Sequence, residues 1–225
     1  IDEALVFLDG GFTSITIARP VVSRAKYDRL FENPNAQEAD IRVVIDSEAG
    51  YRAAATGAVG LKKALGVFLK IDVGLHRCGL LPVDDQLLPL VKQIDNDPNL
   101  DFRGLLSHAG HAYAAKSREE AAGVAEQERT IMLGVRDMLV ANGIEIPEIS
   151  VGATPTVLAT ETFEGITEIR PGNYVFLDLL PVNAGVASMQ DISFSVLATV
   201  ISKNVQYFIT DAGSKTLTSD AGVHG

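Results

Sequence analysis

Six short apolar runs recur along this chain, each rich in β-branched residues and apolar on both faces, with polar segments of helix length between them. The runs cover residues 14–22, 41–45, 66–73, 102–107, 148–151 and 174–178. A strand wetted on one side alternates apolar and polar residues. Strands that stay apolar throughout are those of a parallel sheet covered by helices. The intervening segments supply the helices. The clearest spans 117–142, opened by the capping pair Ser117 and Glu120 and closed by Asn142-Gly143. Its Val124, Ile131, Val135, Met138 and Leu139 share one face, and Met132 and Met138 read as plain core. Further helices are expected over 48–64 and 84–95, and residues 1–8 also read as helical. Repeated strand–helix units predict an α/β fold with a parallel sheet. Six strands suit an open doubly wound sheet, whereas a closed (β/α)8 barrel of the TIM type needs two more. Over 191–218 the pattern changes to short alternating segments without a long helix, as at the start of an antiparallel β domain. A boundary near Ala187 follows, with residues 1–186 as the α/β unit and 187–225 as the beginning of the second.

Size and charge narrow the function. A chain of 225 residues with 47% hydrophobic residues buries one substantial core. Its formal net charge of -10 argues against nucleic acid or an anionic membrane as partner. No apolar stretch is long enough to span a bilayer. The single cysteine, Cys78, excludes an intramolecular disulfide and a clustered-cysteine zinc site, and fits a reducing, cytoplasmic setting. The first residues lack a basic leader and a methionine, so the chain is expected either to be processed or to begin inside a longer protein.

Four strand ends carry residues that a strand does not need. Polar groups at the C-terminal ends of barrel strands are where barrel enzymes keep their sites. In Lys70-Ile71-Asp72-Val73-Gly74-Leu75-His76-Arg77-Cys78-Gly79, two glycines let backbone approach a ligand, and Arg77 offers a planar fork for an oxygen anion. An arginine bridged to a neighbouring carboxylate explains this segment about equally well. In Ser107-His108-Ala109-Gly110-His111, His108 can stack on a ring or carry a proton. His111 reads more simply as a surface histidine, and no third ligand accompanies the pair to make a metal site. In Val151-Gly152-Ala153-Thr154-Pro155-Thr156, Thr154 is expected as a helix N-cap with Pro155 at the first helical position, and the free amides there suit an anion. Helices also start this way with no ligand. In Glu168-Ile169-Arg170-Pro171-Gly172-Asn173-Tyr174, Arg170 is expected to open the last strand, where it would need a partner such as a carboxylate or a heterocyclic nitrogen.

Taken in order, KIDVGLHRCG, SHAG, SVGATPT, EIRPGNYVFLD and ITDAGSK resemble the D-threonine aldolase and D-serine dehydratase family, which shares its barrel with alanine racemase. The resemblance covers nearly the whole chain. It implies a fold-type III pyridoxal 5'-phosphate enzyme: a barrel, then a β domain, often a homodimer, with a small D-amino acid as substrate. It implies that Arg77 contacts the cofactor's phenolic oxygen, and that His108, the expected catalytic residue, lies beside the ring. Gly152, Thr154 and Thr156 would form the phosphate cup, with Gly172 lending an amide and Tyr174 beside it. Arg170 would face the pyridine nitrogen. An adjacent cation disfavours protonation of that nitrogen and weakens the electron sink.

Two of the family's features are missing. The Schiff-base lysine lies in an RPHxKTHK-like segment on the first barrel strand, and this chain has no such segment. Lys70 matches a different family position, and Lys215 reads as structural. Strand counting places Ile1 just after the second barrel strand, so one missing start explains both the absent lysine and the absent strands. The family's divalent metal site, in a segment near the C-terminus, is likewise not found, and His224 does not match it. The implied activity is cleavage or dehydration of D-3-hydroxy amino acids, with SVGATPT and RPGNYVF leaning to the dehydratase side. A non-catalytic cofactor-binding or racemase-like protein, and a phosphate-binding barrel unrelated to pyridoxal, are the competing expectations.

Overall fold

The computed structural model describes residues 1–213 and 216. Helix α1 (Asp2–Asp9) leads into strand β1 (Ser14–Ile17), followed by α2 (Arg24–Phe31), β2 (Asp40–Ile45), α3 (Glu48–Gly57), β3 (Leu65–Lys70), α4 (Leu87–Asp95) and β4 (Leu100–Leu106). The chain continues through α5 (Arg118–Ala141), β5 (Glu148–Val151), α6 (Thr154–Ala159), β6 (Glu168–Ile169) and α7 (Leu179–Asn183) to β7 (Val200–Lys203) and β8 (Phe208–Thr210). Strands β1 to β6 form one sheet in the order 1-2-3-4-5-6, every neighbouring pair parallel. Strands β7 and β8 form a separate antiparallel pair.

That strand order decides between the two sheet types. A doubly wound sheet reverses direction at a switch point and covers both faces. Here no reversal occurs, so right-handed crossovers place the helices on one side. The main core lies between sheet and helices: Ile41, Val43 and Ile45 on β2, Leu65, Val67 and Leu69 on β3, and Ile149 and Val151 on β5. Alternate residues turn the other way. Val44, Phe68 and Leu106 form a second, separate cluster, at most 1% exposed. With the crossovers all on the other side, such burial requires the sheet to curl, and it has the form of a half-barrel.

A bulge keeps this alternation in phase. Val67 pairs with Phe102, but Phe68 pairs with Gly104, so Arg103 is the extra residue of β4. The bulge moves Leu105 to the helix side and Leu106 to the concave side. Below the Val44–Phe68–Leu106 cluster, the start of the sheet carries a mesh of charges. Arg42 lies 3.7 Å from Asp40 and 3.8 Å from Glu148, and Arg103 lies 2.7 Å from Asp101 and 3.1 Å from Asp40.

Several sequence expectations are corrected. The last strand is Glu168–Ile169, and residues 174–178 are not a strand. Pro171 cannot donate to a ladder, and Asn173–Val175 winds into a 3-10 turn ending near Leu177 at φ +53. Arg170 therefore follows the strand instead of opening it, and Tyr174, Val175 and Phe176 are exposed. The first strand stops at Ile17, before Arg19-Pro20. Helix α3 stops at Gly57, short of the expected residue 64. Residues 192–199 contain no strand. Helix α5 agrees: Ser117 Oγ accepts the Glu120 amide at 3.2 Å, and Asn142 ends it. Lys215 and His224 lie outside the described residues.

Candidate active site

The C-terminal ends of β3, β4 and β5 and the residues after β6 converge on one cluster of polar groups. The loop after β3 is held in a tight shape. The Asp72 amide donates to the Leu80 carbonyl, and the Leu80 amide to that of Lys70, each at 2.9 Å. Asp72 then folds the tip around its own carboxylate, which accepts the Gly74 and His76 amides at 3.0 Å and lies 2.9 Å from His76 Nδ1. Burial pushes this carboxyl up, but those three partners outweigh it and hold Asp72 below the usual carboxylate range. Gly79 is required at its place: its φ is +112, and a Cβ would meet the Asp72 amide nitrogen at 2.7 Å. The result presents Arg77 at an exposed tip.

Strand β4 delivers Ser107 and His108. His108 Nδ1 lies 3.0 Å from the Gly152 carbonyl. A carbonyl only accepts, so Nδ1 carries the proton and Nε2 is left as an acceptor. Burial holds the imidazole below its ordinary pKa, and the cations of Lys70, Arg77 and Arg170 add to this against the Gly152 bond. His108 is therefore neutral at neutral pH. His111 differs from its expected surface role. Its Nδ1 is buried without a partner among the described residues, and its ring packs over Gly74, whose Cβ position would lie 3.2 Å away.

Strand β5 is followed by Gly152, with φ +116. The helix cap lies one residue earlier than expected: Ala153 is the N-cap of α6, so Thr154 is the first helical residue and Pro155 the second. Thr156 Oγ1 takes the capping role, accepting the Ala153 amide at 2.9 Å and donating to its carbonyl. This frees Thr154, whose Oγ1 is fully buried with no hydrogen-bond partner among the described residues. A buried hydroxyl without a partner is costly, which points to a ligand that completes it.

After β6, Arg170 turns under the cluster. Nε donates to Ser150 Oγ at 2.7 Å, and Nη2 donates to the Ser107 carbonyl. Burial pulls the guanidinium's pKa down, and Glu128 and Glu168 oppose that; arginine stays cationic throughout. Gly172 has open space at its Cβ position, and Tyr174 is 57% exposed in its turn.

Two residues of this cluster were not expected from the sequence. Lys70 is 2% exposed at the end of β3. Burial lowers its pKa from 10.5 to about 8, with Arg170 and Arg77 adding to the shift. Glu128, in the middle of α5, is also 2% exposed and accepts the Ser107 hydroxyl at 2.6 Å. Each had a signal: a charge inside an apolar strand, and a carboxylate in step with Ala121, Ala125, Met132, Val135 and Leu139 on a helix's buried face.

The Lys70 shift is directly measurable. In 13C-lysine NMR, one lysine signal is expected to titrate near pH 8 and to vanish in Lys70→Met. The unfolded chain keeps that proton up to about 10.5, so unfolding takes up a proton between pH 8 and 10.5. This group's contribution to stability therefore rises with pH across that window and is absent below it. A midpoint above 10 would contradict a desolvated amine.

Comparison with known proteins adds to this geometry. Residues 1–179 match the family model described as alanine racemase, N-terminal domain. The D-threo-3-hydroxyaspartate dehydratase of Delftia sp. is 36% identical over 99% of this chain and 58% of that protein. The D-threonine aldolase of Arthrobacter sp. is 32% identical over 99% of this chain and 59% of that protein. An alanine racemase-like protein from Idiomarina loihiensis has a solved structure with TM-score 0.87 and 32% identity, covering 98% of this chain and 58% of that one. The chain thus spans a little under three fifths of these relatives' lengths.

Proposed function

We propose, for a chain that belongs to the alanine racemase N-terminal domain family of fold-type III pyridoxal-phosphate proteins, that these strand ends hold pyridoxal 5'-phosphate and that the whole protein is a lyase acting on D-3-hydroxy amino acids. The observation that carries this reading is the unpartnered, buried Thr154 hydroxyl, set at a helix start beside Gly152, with His108 and Arg170 in the same cluster. A phosphate oxygen would complete Thr154. The Gly172 amide would add a donor and Gly152 would shape the turn, its own amide being held by Glu128, while Thr156 would keep the helix start in shape, and Tyr174 would reach the phosphate only by leaving its exposed position. Arg77 would meet the phenolic oxygen and Arg170 the ring nitrogen.

The bound cofactor would supply an electron sink for the charge released when a bond at the substrate's α-carbon breaks. The chain's own groups set its surroundings. Arg170 is a fixed cation and disfavours a proton on a nitrogen beside it. Neutral His108 holds its Nδ1 proton on Gly152 and offers Nε2 as a proton acceptor. The names of the relatives include both dehydratase and aldolase, and SVGATPT with RPGNYVF favours the dehydratase. A divalent metal would hold the substrate hydroxyl. Among the described residues, no three His, Cys, Asp or Glu side chains cluster to bind one, so its ligands would come from elsewhere. The half-barrel would belong to a closed (β/α)8 barrel, and the β7–β8 pair to a β domain beginning near residue 187. The protein would work as a homodimer in the cytoplasm. The exposed Phe176, Phe194 and Leu197 give such a dimer apolar surface to bury, and no helix among the described residues is long and apolar enough to cross a membrane.

Borohydride reduction of the whole protein loaded with pyridoxal phosphate, followed by intact mass and peptide mapping, tests the reading. One pyridoxyl adduct is expected on a lysine outside residues 1–225, with ammonia and an oxo acid, or an aldehyde and glycine, from a D-3-hydroxy amino acid. No adduct, or an adduct on Lys70, would overturn the arrangement.

A further inference from the structure

Glu128 stands on the outer helix α5, yet its carboxylate passes to the polar cluster at the ends of β4 and β5. Its Oε1 accepts two donors from two different elements: Ser107 Oγ at 2.6 Å, just past β4, and the Gly152 amide at 3.3 Å, just past β5. These residues border the two functional segments. Ser107 precedes His108, and its carbonyl accepts from Arg170 Nη2. Gly152 begins the turn that carries Thr154, and its carbonyl holds His108. One carboxylate oxygen therefore ties together the backbone of both.

Charge gives Glu128 a second role. The groups facing the cluster are Lys70 from β3, Arg77 and Cys78 from the following loop, His108 after β4, Arg170 after β6, and Glu168 on β6. Three of these, Lys70, Arg77 and Arg170, carry or can carry positive charge beside the neutral His108. Among the described residues, Asp72 and Glu128 are the buried carboxylates, and Asp72 is consumed by its own loop. A structural carboxylate on an outer helix would find its partners on that helix or at the surface. Among the described residues, Glu128 instead accepts from Ser107 and Gly152, both past the strand ends, and its charge acts on Lys70 and Arg170.

We propose that Glu128 is a positioning residue for the cofactor site: its side chain is the common anchor of the Ser107–His108 and Gly152–Thr154 segments and the counter-charge of Arg170 and Lys70. This rests on the assignment of the strand ends as the cofactor site, and it adds a residue on a helix that does not itself line that site. Both acceptor bonds go to one oxygen and both donors are neutral, so a glutamine can keep the bonds while losing the charge. That separates the two roles.

The test is Glu128→Gln in the whole protein, read first without cofactor. The Lys70 NMR midpoint is expected to fall by roughly half a unit or more, because an anion that favours the ammonium is gone. Glu128→Asp should restore part of the shift. With cofactor bound, the pH midpoint of its absorbance band should move in the same direction in Glu128→Gln. An unchanged Lys70 midpoint in a folded Glu128→Gln protein would overturn the proposal and leave Glu128 as a neutral strut. Should the variant fail to fold, 13C-labelled glutamate in the unaltered protein decides. A buried carboxyl signal at the ionised position at pH 7 supports the proposal, and one at the protonated position overturns it. The Lys70 readout needs no cofactor, so it stands or falls separately from the borohydride result.

Discussion

Replacing Arg170 with leucine is expected to destabilise the fold by about 3–5 kcal/mol, the cost of removing one partner from a buried charge network. The side chain is only 19% exposed and makes hydrogen bonds to Ser150 Oγ and to the carbonyls of Ser107 and Ser150. Leucine leaves the Ser107 carbonyl without its donor, while Ser150 keeps its bonds to the Ser107 amide and to Glu168, and Glu128 has one cation fewer. Urea unfolding with an unchanged m-value measures the loss as a lower midpoint. Combining Arg170→Leu with Glu128→Gln should cost less than the sum of the two, since the glutamine removes the charge that the leucine strands. The Lys70 amine should titrate higher in Arg170→Leu, because Arg170 now pushes it down. A loss below about 1 kcal/mol would mean that water takes over the guanidinium's bonds and that the site is wetter than its burial indicates.

Gly104→Ala is expected to cost about 3 kcal/mol or more, combining backbone strain with a main-chain clash. Gly104 has φ +130, and a Cβ there would sit on the Glu148 carbonyl oxygen, well inside contact distance. Glu148 is its own register partner in β5, so neither atom can swing aside without breaking the β4–β5 ladder. If the strand escapes by losing its bulge, Leu105 and Leu106 exchange faces, and the second cluster loses a member to the helix side. A matched control is Gly123→Ala in α5. Gly123 has nothing within 4 Å of its Cβ position, and alanine there should raise stability by about 0.5–1 kcal/mol. Thermal unfolding of both variants settles the comparison. Equal effects would show that the bulge is not held by its glycine.

How much of this was legible in the sequence differs by element. Strands β2 to β5 read clearly, because burial on both sides leaves a run that no amphipathic helix produces, whereas the half-buried β1 was drawn too long. Helix α5 read well because Ser117 and Asn142 announce its ends by local hydrogen bonding. The sixth strand was misread. Tyr174, Val175 and Phe176 have strand-forming side chains, but Pro171 and the turn at Asn173 had already taken the backbone out of the ladder. The two neighbouring residues that pair, Glu168 and Ile169, are too few to leave a pattern. At the site, Arg77, His108 and Arg170 were legible as polar residues at strand ends, and Gly152 as the glycine following a strand. Thr154 was expected as the cap, and the structure gives the N-cap to Ala153 instead. The freedom of Thr154 from that role depends on Thr156 doing the capping, which only three-dimensional geometry decides. Lys70 and Glu128 were visible as charges in apolar patterns, but a pattern that expects apolar residues has no rule for what a buried charge is near.

The sheet's two faces divide the chain's residues by parity, and this has an evolutionary consequence. On β2, β3 and β5 the residues toward the helices, such as Val43, Val67 and Ile149, hold the fold, while their immediate neighbours Arg42, Phe68, Lys70 and Ser150 face the concave side. Adjacent codons therefore answer to different selection. A lineage can rewrite concave positions at the strand ends, such as Lys70 and Ser150, and leave untouched both the helix-side positions and the Val44–Phe68–Leu106 cluster that preserve folding. Variation between enzymes of one scaffold should then appear along β2, β3 and β5 as a two-residue rhythm of tolerance, a pattern that a saturation library scored separately for folding and for activity would display.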